Sequence, residues 1–147
     1  MEEKKFITAS YGMGVNYVSP NDVADAAVVV LLNQKPYRNK VYNLTGKKPV
    51  KDAEIAAALS DHYGHKIDHV QLGYHEYEKD VKERGLPAWQ VRDSAAFERM
   101  KATGVDENPA SYTTDLESII GKAPETIKEY LSNKSCMRPG LQFSSSN

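Results

Sequence analysis

Three closely spaced histidines invite interpretation as a metal site. His62, His65 and His69 form an H-x-x-H-x-x-x-H pattern, and imidazole nitrogens are common ligands of zinc and other transition metals. Gly64 predicts a helix end between the first two of them, and His69 falls on the extended segment that follows. Because the rings should then point in different directions and no cysteine or carboxylate completes the set, we expect exposed polar side chains here and no metal site.

A second segment, residues 74–79, contains tyrosine and lysine close together. A Tyr/Lys pair can donate a proton to a substrate carbonyl, so we consider this segment as a catalytic site. A Tyr/Lys pair that acts together from one helix needs i, i+4 spacing. Tyr77 is two residues from Lys79, so the two side chains point apart. We therefore interpret Tyr74 and Tyr77 as packing residues and assign no catalytic residue.

Two glycines near the N-terminus have the spacing of the start of a phosphate-binding loop. Gly12 and Gly14 match the first half of G-x-G-x-x-G, but position 17 is Tyr17. The residues after these glycines are also predicted to form a strand, whereas a phosphate-binding loop leads into the N-terminus of a helix. We interpret both glycines as turn residues, and no residue of the chain is assigned to cofactor binding.

The elements that would position these residues centre on residues 14–33. Val15–Val18 is rich in β-branched and aromatic residues and predicts a strand. Ser19 is the expected N-cap of a helix, with Pro20 at its first position and Asp22 as a capping-box acid. The helix is apolar almost all round, so we expect it to be buried against a sheet, with a core face made of Val23, Ala26, Ala27, Val30 and Leu31.

A second strand, Val41–Thr45, follows this helix and predicts a βαβ unit in which it lies parallel to Val15–Val18. Shorter strand candidates begin at Phe6 and at Ile67. Further helices are predicted over residues 49–63 (with its first residue at Asp52), 74–84, 88–102, 115–120 and 124–131, the last with Thr126 and Glu129 as a capping box. The fold class is α/β.

Composition narrows the class of protein. The chain has 147 residues, 40% of them hydrophobic, and a net charge of -1, which is typical of one globular domain and gives no sign of nucleic-acid or membrane binding. The single cysteine, Cys136, cannot form an internal disulfide, so we expect a cytoplasmic protein. Residues 132–147 are predicted to be a disordered tail.

Six motifs follow one another along the sequence: Val15-Asn-Tyr-Val-Ser-Pro-Asn-Asp-Val-Ala-Asp-Ala-Ala27, Val41-Tyr-Asn-Leu-Thr-Gly46, Ala53-Glu-Ile-Ala-Ala-Ala-Leu59, Glu76-Tyr77, Gly85-Leu-Pro-Ala-Trp89 and Asp115-Leu-Glu-Ser-Ile-Ile-Gly-Lys-Ala-Pro124. In this order and spacing they resemble the C-terminal half of the NmrA-like family of atypical short-chain dehydrogenases, which includes quinone reductases. The resemblance covers residues 1–131. It implies two or three strands of a Rossmann-like, doubly wound sheet with a helical substrate-side subdomain.

The resemblance also implies where a substrate would lie. In the family, the helical portion caps the cleft in front of the nicotinamide, so Tyr11, Met13 and Trp89 are candidate substrate-pocket residues; core packing is the alternative for these aromatic side chains. The cofactor implied for the full-length family is NAD(P)H. We expect none to bind this chain alone, because the family's glycine-rich strand–turn–helix unit has no counterpart in it.

Two functions follow from the resemblance. The first is the substrate-side half of an NAD(P)H-dependent oxidoreductase acting on a small molecule, not catalytic alone, either paired with a separate N-terminal half or truncated. The second is a non-enzymatic, redox-sensing interaction protein of the NmrA type. In either case we expect an exposed apolar surface that favours self-association or a partner, unless the C-terminal helices fold back to cover it.

Overall fold

The computed structural model describes residues 4–133. Over this range it has a mixed α/β fold in which helix predominates, as the sequence predicts. Two short 3-10 turns, Val105–Glu107 and Pro109–Ser111, precede the last two helices. In chain order the strands and α-helices are β1 (Lys5–Thr8), α1 (Pro20–Leu32), α2 (Gln34–Tyr37), α3 (Asp52–Tyr63), β2 (Asp68–Gln71), α4 (Tyr74–Glu83), α5 (Ala88–Ala102), α6 (Asp115–Ile120) and α7 (Ile127–Ser132).

The two strands pair in parallel, with Phe6 opposite His69 and Thr8 opposite Gln71. They are the two shorter strand candidates of the sequence. The chain between them includes α1, α2 and α3, in keeping with the long connections that parallel strands require. The parallel α/β class is therefore confirmed, although other segments form the pair.

The predicted strands Val15–Val18 and Val41–Thr45 do not form a βαβ ladder, and this part of the prediction is wrong. Val15 makes a single antiparallel bridge to Val50. Other backbone groups of these segments bond to side chains: the Asn16 N–H donates to Asp106 at 3.1 Å, and the Asn43 N–H donates to Asp115 at 2.8 Å. A strand requires a backbone neighbour of matching register, and β propensity alone cannot supply one.

The helix α1 buries a different face from the one predicted. Asp22 and Ala26 are buried, and Ala26 forms a small core with Leu116 and Ile119 of α6, against which Val29, Val30, Val18, Tyr42 and Leu44 pack. The predicted core residues Val23, Ala27 and Leu31 are instead exposed. Because nearly every position of α1 is apolar, the hydrophobic periodicity could not identify the buried face. The buried face is the one that packs against α6.

The start of α1 is capped as predicted at Ser19 but not at Asp22. The Ser19 hydroxyl accepts from the Asn21 N–H at 3.1 Å and also contacts the Glu125 carboxylate. Asp22 does not reach back to the cap; its carboxylate accepts the Glu125 N–H at 2.6 Å and lies 3.3 Å from the Lys122 ammonium. The acid therefore ties the segment after α6 to α1.

The later helices follow the sequence closely. α3 begins at Asp52, and α5 and α6 have the predicted bounds. The capping box of α7 is present, because Thr126 and Glu129 bond reciprocally to each other's backbone. α7 begins at Ile127, three residues after its predicted start, and extends to Ser132, one residue into the predicted tail. Residues 134–147, including Cys136, lie outside the described part of the chain. Within the described part, no helix is long and apolar enough to cross a membrane.

Candidate functional site

The loop after β1, residues 10–14, carries two of the three candidate pocket residues and is held at both ends by carboxylates. The Ala9 N–H donates to Glu98 of α5 at 2.6 Å. The Gly14 N–H donates to Glu107 in the following 3-10 turn at 2.7 Å. Charged acceptors make strong hydrogen bonds, so the loop is fixed against the C-terminal end of α5.

Tyr11 sits on this loop with a left-handed backbone, φ 55°, which is uncommon for a residue with a bulky side chain. Its N–H donates to the Gln71 side chain at 3.0 Å. Its ring meets Tyr74 edge to face, with centroids 5.3 Å apart, and the Arg99 guanidinium lies 5.6 Å from the Tyr74 centroid. Because Arg99 is also paired with Glu78 at 3.1 Å, the result is a partly exposed aromatic surface that suits a flat ligand.

Met13 and Trp89 lie at opposite ends of α5. The Met13 sulfur lies 3.3 Å from the point that a Cβ on Gly104 would occupy, which places Met13 against the chain just after the helix. Trp89 is in the first turn of α5 and is 57% exposed. From Trp89 to Arg99 the helix rises about 15 Å, so Trp89 does not join the Tyr11–Tyr74 contact.

Beneath the loop lies a buried charge cluster that the sequence interpretation did not include. The Lys101 ammonium of α5 lies 3.0 and 2.9 Å from the two Asp52 oxygens and 2.9 Å from Glu98. All three side chains are almost fully buried. Since the other Glu98 oxygen accepts from Ala9, the cluster joins α3, α5 and the end of β1.

The protonation of this cluster favours a positioning role. Burial by itself would lower the pKa of Lys101, but the hydrogen bonds that its ammonium donates to Glu98 and Asp52 outweigh the effect of burial, and the pKa is raised. The pKa of the neighbouring Tyr17 is also raised, chiefly by burial, with Lys101 opposing the shift and the nearby carboxylates adding to it. Lys101 thus stays charged and Tyr17 stays protonated, so this tyrosine is not an activated acid.

The three histidines are partly buried, whereas the sequence predicted exposed side chains. His69 on β2 hydrogen-bonds Thr8 of β1 at 2.8 Å. His65 bonds the Tyr63 carbonyl at 3.1 Å, and the His62 ring contacts Tyr63 edge to face. No group of three His, Cys, Asp or Glu side chains within residues 4–133 is placed to hold a metal ion.

The two strand-to-helix connections do not fit a dinucleotide pyrophosphate. A pyrophosphate site needs free backbone N–H groups at a helix N-terminus. After β1, Glu125 lies at the N-terminus of α1, where its carboxylate accepts from the Ser19 hydroxyl and, at 3.3 Å, from the side-chain amide of Asn21. After β2, the Glu76 carboxylate accepts the Gly73 N–H at 3.1 Å before α4. In each case a carboxylate stands where an anionic ligand would bind.

The sequence does carry a signal for the missed cluster. Glu98 and Lys101 are three residues apart on α5 and share a face with the buried Ala95. Two charged residues on the apolar face of a helix predict a buried ion pair. Asp52 could not have been identified as their partner, because it lies 49 residues from Lys101 in the sequence.

The fold of the chain matches the C-terminal part of Rossmann-like reductase folds. The chain's relatives confirm its resemblance to NmrA-like, atypical short-chain dehydrogenases. Among solved structures, a Citrobacter sp. triphenylmethane reductase complexed with NADP(H) superimposes with a TM-score of 0.78 and 26% identity, over 90% of this chain and 44% of that one. An NADPH-dependent quinone oxidoreductase from Escherichia coli shares the fold with a TM-score of 0.73 and 24% identity, over 87% and 45%.

The curated relatives agree with the structural ones. The uncharacterized oxidoreductase YesF of Bacillus subtilis is 24% identical over 128 residues, which are 87% of this chain and 43% of YesF. The chain therefore spans less than half the length of the relatives that it matches, which is consistent with the C-terminal half of the fold. No protein-family model matches the chain.

Proposed function

We propose that this chain forms the substrate-side part of an NAD(P)H-dependent oxidoreductase. The supporting observation is its similarity to the triphenylmethane reductase, which covers 90% of this chain and belongs to a protein complexed with NADP(H). The carboxylates over the helix N-termini argue against a pyrophosphate site on residues 4–133. A separate dinucleotide-binding segment would have to supply it.

The proposed substrate is a small, flat, unsaturated or carbonyl compound. The support is the surface of Tyr11, Tyr74 and Arg99, where two rings and a guanidinium lie side by side. When bound, NAD(P)H would supply the hydride, and the electron-poor carbon of the substrate would accept it. The loop residues Tyr11 and Met13 would orient the substrate, and the Glu98 and Glu107 carboxylates would hold that loop.

Cofactor binding by the chain alone is the first test. Titration calorimetry of the full chain with NADPH and with NADH is expected to show no micromolar binding, because carboxylates lie at the N-termini of α1 and α4, the helices that follow the two strands. Micromolar binding of either dinucleotide would contradict the proposal that the cofactor site lies outside this chain.

A chimera tests the rest of the proposal. Joining this chain to the segment of the triphenylmethane reductase that it does not match should restore NADPH binding and allow reduction of a triphenylmethane dye or a quinone. Replacing Tyr11 with Ala should raise KM for that substrate by about fivefold, since loss of one aromatic contact costs on the order of 1 kcal/mol. The matched control is Lys79→Ala on the exposed side of α4.

Two outcomes separate the proposal from its alternative. A chimera that binds NADPH but reduces no dye or quinone would contradict the enzymatic proposal and favour a redox-sensing interaction protein. An unchanged KM in the Tyr11 variant would instead remove the loop from the substrate site while leaving the oxidoreductase assignment intact.

A further inference from the structure

Glu98 lies between the loop at residues 10–14 and the buried charge cluster, and its two carboxylate oxygens have different partners. One oxygen, Oε2, accepts the Ala9 N–H at 2.6 Å. The other, Oε1, accepts from the Lys101 ammonium at 2.9 Å. Because Ala9 immediately precedes the loop, a single side chain connects the buried cation to the start of the loop.

Both of these hydrogen bonds are shielded from water. Glu98 is 5% exposed, Lys101 is 4% exposed and Ala9 is fully buried. A buried donor that loses its acceptor cannot find a water molecule in exchange, so the loss is costly. Lys101 has a second carboxylate partner in Asp52, whereas the acceptor of the Ala9 N–H is Glu98.

A carboxylate is the side-chain group at position 98 that can serve both donors. Its two oxygens both accept, whereas a glutamine amide has one acceptor oxygen and an NH2 group that only donates. With glutamine at this position, the amide oxygen would turn toward the Lys101 ammonium, because a cation attracts the oxygen and repels the NH2 group. The NH2 group would then face the Ala9 N–H and leave that buried donor without an acceptor.

The other end of the loop provides a comparison. Glu107 accepts the Gly14 N–H at 2.7 Å through Oε1, and Glu107 is exposed. This contact needs one acceptor oxygen, which glutamine also has. The two carboxylates that hold the loop therefore differ, since position 98 requires both oxygens of a carboxylate and position 107 requires one acceptor.

We propose that Glu98 is a positioning residue for the substrate, because its Oε2 fixes Ala9 and thereby sets the position of Tyr11 two residues further on. Tyr11 needs such a restraint, since its backbone is left-handed, with φ 55°, which is uncommon for a residue with a bulky side chain. The inference rests on the proposed function and deepens it, because it assigns the orientation of the substrate loop to one carboxylate and states which chemistry that position requires.

Amide hydrogen exchange of the full chain, followed residue by residue by NMR, tests the contact without any enzymatic activity. Glu98→Gln should speed exchange at Ala9 by at least about tenfold, since the hydrogen bond to its carboxylate is lost. Glu107→Gln should leave exchange at Gly14 within about threefold of its original rate, because one acceptor remains. Asp52→Asn controls for general loosening of the cluster and should change exchange at Ala9 by less than about threefold. Circular dichroism shows whether each variant is folded.

A neutral variant restores the contact and also covers the case in which Glu98→Gln does not fold. The triple substitution Asp52→Asn, Glu98→Gln and Lys101→Met leaves no unpaired buried charge, and neutral replacements of buried ion pairs are generally tolerated. Without the cation, the glutamine oxygen is free to accept the Ala9 N–H. Exchange at Ala9 should therefore return to within about threefold of its rate in the unmodified chain.

The chimera described above separates positioning from stability. Glu98→Gln should raise KM for the dye or quinone by about threefold, and adding it to Tyr11→Ala should raise KM no further, because Glu98 acts through Tyr11. The matched control is Glu83→Gln on α4, which removes an exposed carboxylate 3.8 Å from the Lys79 ammonium and should leave KM unchanged.

Four results would overturn the proposal. They are unchanged exchange at Ala9 in Glu98→Gln, equal acceleration in Asp52→Asn, fast exchange in the neutral triple variant, and an effect of Glu98→Gln on KM that is absent or simply adds to that of Tyr11→Ala. A parent chimera that reduces no substrate would instead contradict the proposed function, and exchange at Ala9 in the full chain would still decide whether Glu98 holds the loop.

Discussion

The buried charge cluster of Lys101 and one exposed face of α1 reverse the usual distribution of polar and apolar groups. That face, here called the α1 stripe, consists of Ala24, Ala27, Val28, Leu31 and Leu32. In the cluster, the side chains of one lysine and two acidic residues are buried, and each has partners within this chain. In the stripe, five apolar side chains are exposed and have no cover in the described residues. The polar groups of the cluster are hydrogen-bonded within this chain, whereas the apolar side chains of the stripe remain exposed.

The difference shows which parts of the chain are self-contained. The cluster joins α3, α5 and the end of β1, so this side of the molecule should fold and hold the loop at residues 10–14 without help. The stripe, by contrast, is left open by residues 4–133. Substitutions that act on one region and spare the other can test this division.

The largest effect is expected for Lys101→Ala. Its loss would leave Asp52 and Glu98 buried together without a cation, and removing one partner of a buried ion pair costs about 3–5 kcal/mol. Urea denaturation measures the loss in the free energy of unfolding. Lys79→Ala, which removes an exposed pair with Glu83, should change it by less than about 0.5 kcal/mol. Equal effects of the two variants would show that the cluster is not what stabilises this side.

The next largest difference in the free energy of unfolding is expected between substitutions at two valines of α1, Val30 and Val28. Val30 packs against the small core, and Val30→Asp should cost about 2–4 kcal/mol because a carboxylate would be buried without a partner. Val28→Asp, two residues away on the α1 stripe, should change the stability of the monomer by no more than about 0.5 kcal/mol. Denaturation at low protein concentration makes this comparison, and a larger loss for Val28→Asp would reverse the assignment of the buried face.

A smaller effect is expected at the helix cap. Ser19→Ala removes the acceptor of the Asn21 N–H and should lower the free energy of unfolding by about 0.5–2 kcal/mol. Ser118→Ala, at an exposed position within α6, is the matched control and should have almost no effect. If the two chemical denaturation midpoints coincide, the cap does not contribute to stability.

The smallest change in stability is expected when the pH is varied over the neutral range. The pKa values of Lys101 and Tyr17 are both raised in the folded state. Their contributions are therefore fully present below the unfolded values, about 10.4 for lysine and about 10 for tyrosine, and are lost as pH rises through the folded values. The denaturation midpoint should thus stay level near neutrality and fall only at strongly alkaline pH. Tyr17→Phe should lessen that fall, and a fall that begins near neutrality would contradict the assigned protonation states.

Sequence patterns predicted the helices well and the tertiary partners poorly. The bounds of α5 follow from the break at Leu86-Pro87, and Thr126 with Glu129 mark the start of α7. The strand prediction failed at Val15–Val18, where suitable residue types find only one backbone bridge, to Val50. The predicted pocket residues Tyr11, Met13 and Trp89 stay a prediction: the structure places the first two on one loop and the third at the far end of α5.

The sequence by itself determined those features whose interacting groups lie within a few residues of each other. Ser19 and Thr126 cap helices because the N–H groups that they bond lie two or three positions further on. The tertiary structure decided the β1–β2 pairing, the buried face of α1 and the Lys101 cluster. Their partners are far apart in sequence, 89 residues for Ala9 and Glu98, and local propensity carries no information about contacts at that separation.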